Sequence, residues 1–407
     1  MKIVQINKYF FIKGGAETVF FNTMDLLAKE GHTVIPFSLK NKKNFHSPYE
    51  KYFVDYPELS ESGLWTKFKY APAFLHNRQA ARKLDALLTA EKPDIAHIHL
   101  MFNSFSAAIL PVLKKRRIPV VMSVHDYRLV CPAYTFIDGD GRFCERCRTK
   151  RYYHCIVHRC YRKDRLNSML LAMDNYYRAY FIRPAEYIHQ FIFVSNFSRS
   201  KHIAFDPSFE AQSTCLYNFT PVQEKKERVR GKYLLFFGRI SAEKGIATLM
   251  QVMKRLPDIT LKIAGTGPLL KELEGQNLPN VAFLGFQRGE DLYNCIRNAM
   301  YVVVPSECYE NNPLSVIESM MLGTPVIGSG IGGIPELIQN EQTGYVFEVN
   351  SPESLQHTLR KAISIPDEAY YAMSDAAREF ALENFSGTSH YRKLMEVYDS
   401  VRNKALA

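Results

Sequence analysis

Residues 305–333 read PSECYENNPLSVIESMMLGTPVIGSGIGG. Two glutamates, Glu310 and Glu318, stand eight positions apart in this stretch. One is expected in a loop before a helix and the other inside it. Asn312 suits an N-cap, and Pro313 suits the first helical position, where its missing N–H costs nothing. A helix start carries unpaired amides and favours an anion. Carboxylates beside such a pole suit a ligand that has both phosphate and sugar hydroxyls. Two surface acids favoured by a helix dipole would read the same way in isolation, so the flanking chain has to decide.

Outward from this stretch, apolar runs alternate with amphipathic segments, the pattern of a parallel sheet built from βα units. Residues 3–7 read as a first strand and 16–30 as a helix closed by Gly31. Residues 33–38, 94–99, 119–125 and 191–195 read as further strands, with a helix near 77–91. A polar, charged stretch, YNFTPVQEKKERVRG, then marks a linker. A second series follows at 233–237, 259–264, 281–284, 301–305 and 325–328. The reading is α/β, with two doubly wound domains whose strand C-termini line a shared cleft. The expected boundaries are 1–217, 218–388, and a final segment, 389–407, that returns to pack on the first domain.

At 407 residues the chain exceeds one compact core, and its 46% hydrophobic and 23% charged content is that of a globular protein. No apolar run reaches membrane-span length, and the N-terminus reads as a strand rather than a signal peptide. Together with eight cysteines, this points to a reducing, cytoplasmic setting. A net charge of +11 favours polyanionic partners or phosphorylated substrates.

Gly14 and Gly15 lie between the first strand and the first helix, where a ligand can approach the backbone closely. The motif GGAE is not GxGxxG, and the second strand ends in Phe37-Ser38-Leu39, without an acid for a dinucleotide ribose. That argues against a nicotinamide dehydrogenase. After the linker, GRISAEKG sends Arg239 and Lys244 off a strand end together, two cations suited to a diphosphate. His125 and Asp126 end another strand, where a histidine can act on a hydroxyl. His97 and His99 share one strand face and read as packing residues.

GGAE, the strand-end His125, GRISAEKG and the Glu310–Glu318 spacing together resemble the retaining glycosyltransferases of family 4 (GT4), across nearly the whole chain. The resemblance implies the GT-B fold, two facing Rossmann-like domains with a cleft between them. It implies a nucleotide-diphosphate sugar as donor, a UDP- or GDP-sugar. Arg239 and Lys244 would bind the diphosphate and stabilise the leaving nucleotide. Glu318 would hold the ribose, Glu310 the donor sugar, and His125 would stand by the transferred sugar, with Gly14 and Gly15 close to the donor. Gly265, Gly267 and Phe286 would border the nucleotide, with Leu314 at the helix start. Family members usually carry Gly-Phe-Gly where this chain has Asn311-Asn312-Pro313. Catalysis would need no metal, and Asp138-Gly139-Asp140 reads as a tight turn rather than a metal motif.

Five cysteines, Cys131, Cys144, Cys147, Cys155 and Cys160, crowd into one short basic stretch. Cys144, Cys147, Cys155 and Cys160 have the spacing of a structural zinc site, with Cys131 as an alternative ligand. The basic, tyrosine-rich surroundings and the segment WTKFKY at 65–70 suit an anionic membrane face. The expected acceptor is therefore a glycan or a lipid-diphosphate-linked sugar at the inner face of the plasma membrane, in cell-surface glycan synthesis. Two other readings compete with this one. A sugar-nucleotide epimerase would use the same fold without an acceptor. A zinc-stabilised nucleic-acid-binding protein would leave Arg239, Lys244, Glu310 and Glu318 unexplained.

Overall fold

The computed structural model describes residues 1–59, 62–224 and 229–406. The chain divides into two compact units, Met1–Leu216 with Tyr391–Ala407, and Tyr217–His390. Each holds one six-stranded parallel sheet.

The first unit runs β1 (Lys2–Ile6), α1 (Gly15–Lys29), β2 (Thr33–Phe37), α2 (Leu64–Leu75), α3 (Arg78–Glu91), β3 (Ile95–Ile98), α4 (Ile109–Lys115), β4 (Val120–Val124), α5 (Tyr153–Val157), α6 (Arg165–Tyr180), β5 (Gln190–Phe193), α7 (Asn196–Phe205) and β6 (Ser213–Cys215). Its strand order is β2-β1-β3-β4-β5-β6. β3 and β4 are buried throughout, as strands covered on both faces must be. Helix starts follow their caps: Asn77 accepts the Ala80 N–H at 3.0 Å, and Asp164 accepts that of Asn167 at 2.8 Å.

The second unit runs β7 (Tyr233–Phe237), α8 (Ile246–Lys254), β8 (Thr260–Ala264), α9 (Leu270–Glu274), β9 (Val281–Gly285), α10 (Gly289–Arg297), β10 (Tyr301–Val304), α11 (Leu314–Met321), β11 (Val326–Ser329), β12 (Gly344–Phe347), α12 (Pro352–Ser364) and α13 (Asp367–Phe385). Its order, β12-β11-β10-β7-β8-β9, is the doubly wound arrangement with a switch point between β7 and β10. In the first unit the corresponding switch lies between β1 and β3.

Two strands go beyond the sequence reading, β6 and β12, each added at a sheet edge. The first unit therefore does not close at β5. Part of the expected linker, residues 225–228, lies outside the described residues. Residues just before it are tied into the second unit: Asn218 donates to Asn312, and the Thr220 N–H donates to the Phe385 carbonyl at 3.2 Å. The last helix, α14 (Gly387–Leu406), begins in the second unit. From Tyr391 onward it belongs to the first, where Leu394, Tyr398 and Val401 pack with Ile3, Leu27, Ile95 and Val121. Among the described residues no helix is long and apolar enough to cross a membrane.

Leu394 is fully buried whereas Glu396, two positions on, is exposed. Leu394→Ala should cost about 2–5 kcal/mol and Glu396→Ala within about 0.5 kcal/mol, read by chemical denaturation. Equal effects would contradict this packing of α14.

Candidate active site

In the second unit the loops after β7 and β10 leave the sheet at the switch point. Gly245 adopts φ +65°, and a Cβ there would stand 1.7 Å from the Pro305 carbonyl oxygen. Only glycine lets the loop after β7 lie against the end of β10. That approach brings Lys244 Nζ to 2.5 Å from Glu310 Oε1. Ser306 Oγ donates to the same oxygen at 2.7 Å. The Glu310 backbone is fixed from the loop after β11: the Gly333 N–H donates to its carbonyl at 2.7 Å, and Gly332, at φ +62°, has no room for a Cβ beside it. Burial alone would push Glu310 toward protonation, but the Lys244 ammonium and the Ser306 hydroxyl hold it below the usual carboxylate range. Burial likewise works against the Lys244 charge, and the Glu310 carboxylate keeps its pKa raised.

Glu318 lies in the second turn of α11 and has no such cation. Burial alone pushes it up to about 7. Arg239 is exposed and makes no ion pair among the described residues. The loops carrying Gly265 and Gly267 mesh with the one carrying Arg239. Cβ atoms there would meet the Gly238 and Ile240 carbonyls at 1.9 and 2.1 Å. Phe286, just past β9, is 70% exposed.

The helix start differs from the sequence reading. Pro313 itself is the N-cap and Leu314 the first helical residue, with no side-chain cap. Asn312 is buried, and its Oδ1 accepts the Asn218 N–H at 2.9 Å instead of an amide of its own helix. Asn218 Nδ2 completes the exchange, donating to the Asn312 carbonyl at 3.0 Å. Asn218 thus pairs with both the side-chain oxygen and the backbone carbonyl of Asn312. Asn311 adjoins this exchange in the same loop.

In the first unit, Gly14 is the extended N-cap of α1 and Gly15 its first residue. Glu17 is buried, which raises its pKa, while its carboxylate bonds back to its own amide and that of Gly14. The amides at this helix start are thus partly claimed within the chain. His125 follows β4, and burial lowers it to about 4 despite the adjacent Asp126.

His125 belongs to a chain of hydrogen bonds that the sequence did not reveal. His125 Nε2 lies 3.0 Å from His99 Nδ1, and His99 Nε2 lies 2.9 Å from Gln5 Oε1. Gln5 Nε2 donates to Tyr398 Oη at 3.4 Å. Tyr398 Oη lies 2.7 Å from His97 Nδ1, whose Nε2 lies 2.8 Å from Ser123 Oγ. His97 and His99 also stack at 4.3 Å, so they are more than packing residues. With Gln5 Oε1 accepting from His99, every bond can run in one direction. His99 Nδ1 then accepts, and His125 carries its proton on Nε2.

A cationic cluster also escaped the sequence reading. Tyr9 Oη donates to Glu58 at 2.6 Å and Lys13 Nζ bonds it at 3.0 Å, with Lys8 Nζ 4.0 Å away. Burial, then the nearby Arg128 guanidinium, push Lys8 down to about 8. Arg128 pairs with Asp126 at 3.2 Å and lies over the Tyr134 ring. The only sequence signal was position, Lys8 and Arg128 each coming shortly after a strand end.

The five clustered cysteines line one small cavity in the segment between β4 and α6. Among the described residues no three or more His, Cys, Asp or Glu side chains stand as a formed metal shell. Asp138 closes a turn, accepting the Asp140 and Arg142 amides and the Arg146 guanidinium.

Burial also lowers His202 to about 4. Below pH 6.5 the unfolded chain binds protons at His125 and His202 that the folded chain does not. The contribution of these two histidines to stability should be level above about pH 6.5 and fall toward pH 4, by up to about 3 kcal/mol per histidine. His125→Gln and His202→Phe should each flatten that slope in urea titrations at stepped pH. An unchanged slope in both would contradict these burial effects.

Residues 13–221 match the family described as Glycosyltransferase Family 4, and residues 220–380 match Glycosyl transferases group 1. The chain is 30% identical over 175 residues to an uncharacterized glycosyltransferase of Methanocaldococcus jannaschii, covering 41% of this chain and 44% of that protein. It is 31% identical over 181 residues to the sulfoquinovosyl transferase of Arabidopsis thaliana, covering 43% and 34%. A GDP-mannose-dependent phosphatidylinositol monomannoside mannosyltransferase of Mycolicibacterium smegmatis is 26% identical over 239 residues, covering 52% and 62%. The chain thus spans between 34% and 62% of the length of these curated relatives. Among solved structures, Anabaena HepE in complex with UDP superposes with TM-score 0.68 at 16% identity, covering 98% of this chain and 100% of that one. Sucrose-phosphate synthase from Thermosynechococcus elongatus gives 0.70 at 18%, covering 98% of each. These likenesses show the α/β GT-B fold, and the match over more than half of the sequence shows that the chain belongs to Glycosyltransferase Family 4.

Proposed function

We propose that the chain is a retaining, metal-independent glycosyltransferase that moves a sugar from a UDP- or GDP-sugar to a lipid-linked or polysaccharide acceptor. The observation that carries this reading is the Lys244–Glu310 pair at the switch point of the second sheet. Lys244 and the exposed Arg239 take the diphosphate. Departure of the nucleotide builds negative charge on the leaving oxygen, and cations fixed beforehand favour that charge over the ground state. Glu318 accepts the ribose hydroxyls, and Glu310 contacts the donor sugar. Gly265, Gly267 and Phe286 border the nucleotide, Leu314 lies at its helix, and Asn311 and Asn312 shape sugar choice. In the first unit Gly14 and Gly15 approach the donor, and His125 acts beside the transferred sugar. Relatives crystallised with UDP or UDP-glucose, and one named for GDP-mannose, support a nucleotide-sugar donor.

The acceptor side includes an apolar, basic surface. α2 packs on α6, leaving Trp65 82% and Phe68 69% exposed on the first and Met173 and Tyr180 exposed on the second. Such rings among Lys69, Lys150 and Arg183 suit an anionic bilayer. Trp65 is the chain's only tryptophan and reports on this contact directly. Its emission should shift to the blue with phosphatidylglycerol vesicles and stay fixed with phosphatidylcholine alone. An unchanged spectrum with both would remove the membrane from this reading.

Lys244→Ala should lower turnover of the nucleotide-sugar about 100- to 1,000-fold, the usual cost of losing one fixed charge partner in a transition state. Glu318→Gln should also abolish turnover, but with a second signature. The unfolded carboxyl titrates near 4.5 and the folded one near 7. Above pH 7 the folded chain holds a desolvated charge, a destabilisation that disappears as pH falls toward 4.5. The Gln variant should therefore melt higher than wild type at pH 8 and no higher at pH 4.5. Full activity in either variant would refute the donor-site assignment.

A further inference from the structure

We propose that Cys131, Cys144, Cys147 and Cys160 hold one zinc ion as four thiolates, clamping the segment between β4 and α6, with Cys155 beside them as a spare thiol. The five sulfur-bearing residues come from separate pieces of chain and meet at one small cavity, walled otherwise by Pro132, Ala133, Phe136 and Ile137. The Cys160 thiol stands beside the thiols of both Cys144 and Cys155. Cys147 has Cys131, Cys144 and Cys160 as its sulfur neighbours, and Cys131 also neighbours Cys160. Tetrahedral zinc with bonds of about 2.3 Å sets sulfurs about 3.8 Å apart, the reach of a thiol hydrogen bond. An iron–sulfur cluster would need its cysteines much further apart around a larger space. None of the cysteines is in a disulfide.

Backbone amides approach three of the five sulfurs, those of Cys131, Cys144 and Cys147. Amides of Ala133, Tyr134, Thr135 and Phe136 surround the Cys131 sulfur. The Arg146 amide lies near the Cys144 sulfur and the Cys155 amide near that of Cys147, although the Cys155 N–H itself donates to the Tyr152 carbonyl at 3.0 Å. Peptide N–H groups aimed at sulfur stabilise thiolates and orient metal ligands, whereas a neutral thiol accepts such bonds weakly. The Cys155 sulfur stands beside Cys160 and is not among the sulfur neighbours named for Cys147. This shifts the fourth ligand from the sequence-expected Cys155 to Cys131.

Charge and strain agree with a clamp. Four thiols binding Zn²⁺ release four protons and leave a net charge of −2, with no change of oxidation state. Arg142, Arg146, Arg148 and Lys150 flank Cys144 and Cys147 in sequence, and their charge offsets that of the bound site. Arg146 already donates to Cys144 Sγ at 3.5 Å. Seven of the fourteen non-glycine residues with positive φ among the described residues, Tyr134, Phe136, Thr149, Lys150, Arg159, Arg162 and Lys163, fall in this segment. Each such residue costs about 1 kcal/mol or more, so the segment needs a constraint stronger than its own packing. The clamp also bears on the site, because Phe136 of the cavity wall packs on Tyr127, two residues after His125.

Metal analysis of the full-length purified chain tests the proposal independently of any transferase activity. About one zinc per chain is expected from a single four-thiolate shell. Cobalt exchanged into the site should show tetrahedral thiolate absorption. Cys131→Ser, Cys147→Ser and Cys160→Ser should lose the metal, while Cys155→Ser and Cys215→Ser keep it. A folded chain free of zinc, iron in its place, or disulfides among these residues would overturn the proposal. Loss of zinc from Cys155→Ser with retention in Cys131→Ser would overturn the ligand assignment. Should the serine variants fail to fold, the wild-type cobalt spectrum still decides the number of thiolates.

Discussion

Everything in the second unit's site depends on one close pair of opposite charges beneath the ends of β7 and β10. Lys244 and Glu310 are each placed where burial works against a charge, and each keeps the other ionised. Their meeting requires Gly245 to pass against Pro305, Gly332 to pass against Glu310, and Ser306 to donate to the shared oxygen. An anion arriving at Lys244 competes with Glu310 for the ammonium. The carboxylate so released then needs hydroxyl donors of its own. A ligand that is both a phosphate ester and a sugar satisfies both groups at once, whereas inorganic phosphate satisfies only one. On the proposed donor reading, the pair couples diphosphate recognition to sugar recognition through a single bond.

The first unit solves a different problem, holding a buried imidazole neutral and correctly turned. Six side chains from Gln5 to Tyr398 hand hydrogen bonds to one another, so the proton position on His125 depends on a tyrosine in the final helix. Burial raises the pKa of the Tyr398 hydroxyl and keeps it a donor at ordinary pH. Were Gln5 turned over, every bond in the chain would reverse and the His125 proton would move to its other nitrogen. Orientation of one amide thus sets the acid–base character of a residue several bonds away.

The sequence made the sheets legible because parallel strands buried on both faces appear as continuous apolar runs, and most strand positions agree within a residue or two. β6 and β12 escaped for a physical reason. Edge strands of three and four residues, Ser-Thr-Cys and Gly-Tyr-Val-Phe, carry too little apolar signal. Local rules placed Asn312 on its helix, but a long-range demand, the buried amide of Asn218, took its side chain instead. The same limit hid the histidine relay and the Lys8–Arg128 cluster, whose members lie far apart in sequence and show no spacing pattern. Glu310 and Lys244 were legible as separate charges, and only folding made them a pair.

The segment after β4 inverts this relation. Its cysteines are plain in the sequence, yet it holds half of the left-handed non-glycine residues among the described ones. A hydrophobic core cannot enforce such conformations in a stretch with this many arginines and lysines. Bonds from sulfur to a common ion can, because they fix several pieces of chain at one point without burying apolar area. Its first cysteine, Cys131, comes six residues after His125, and the segment reaches the strand-end loop through Phe136 and Tyr127. Fixing the cysteines therefore fixes the backbone that presents His125, just as Tyr398 fixes its proton. The orientation of that imidazole is set from two sides by groups that need never touch a substrate.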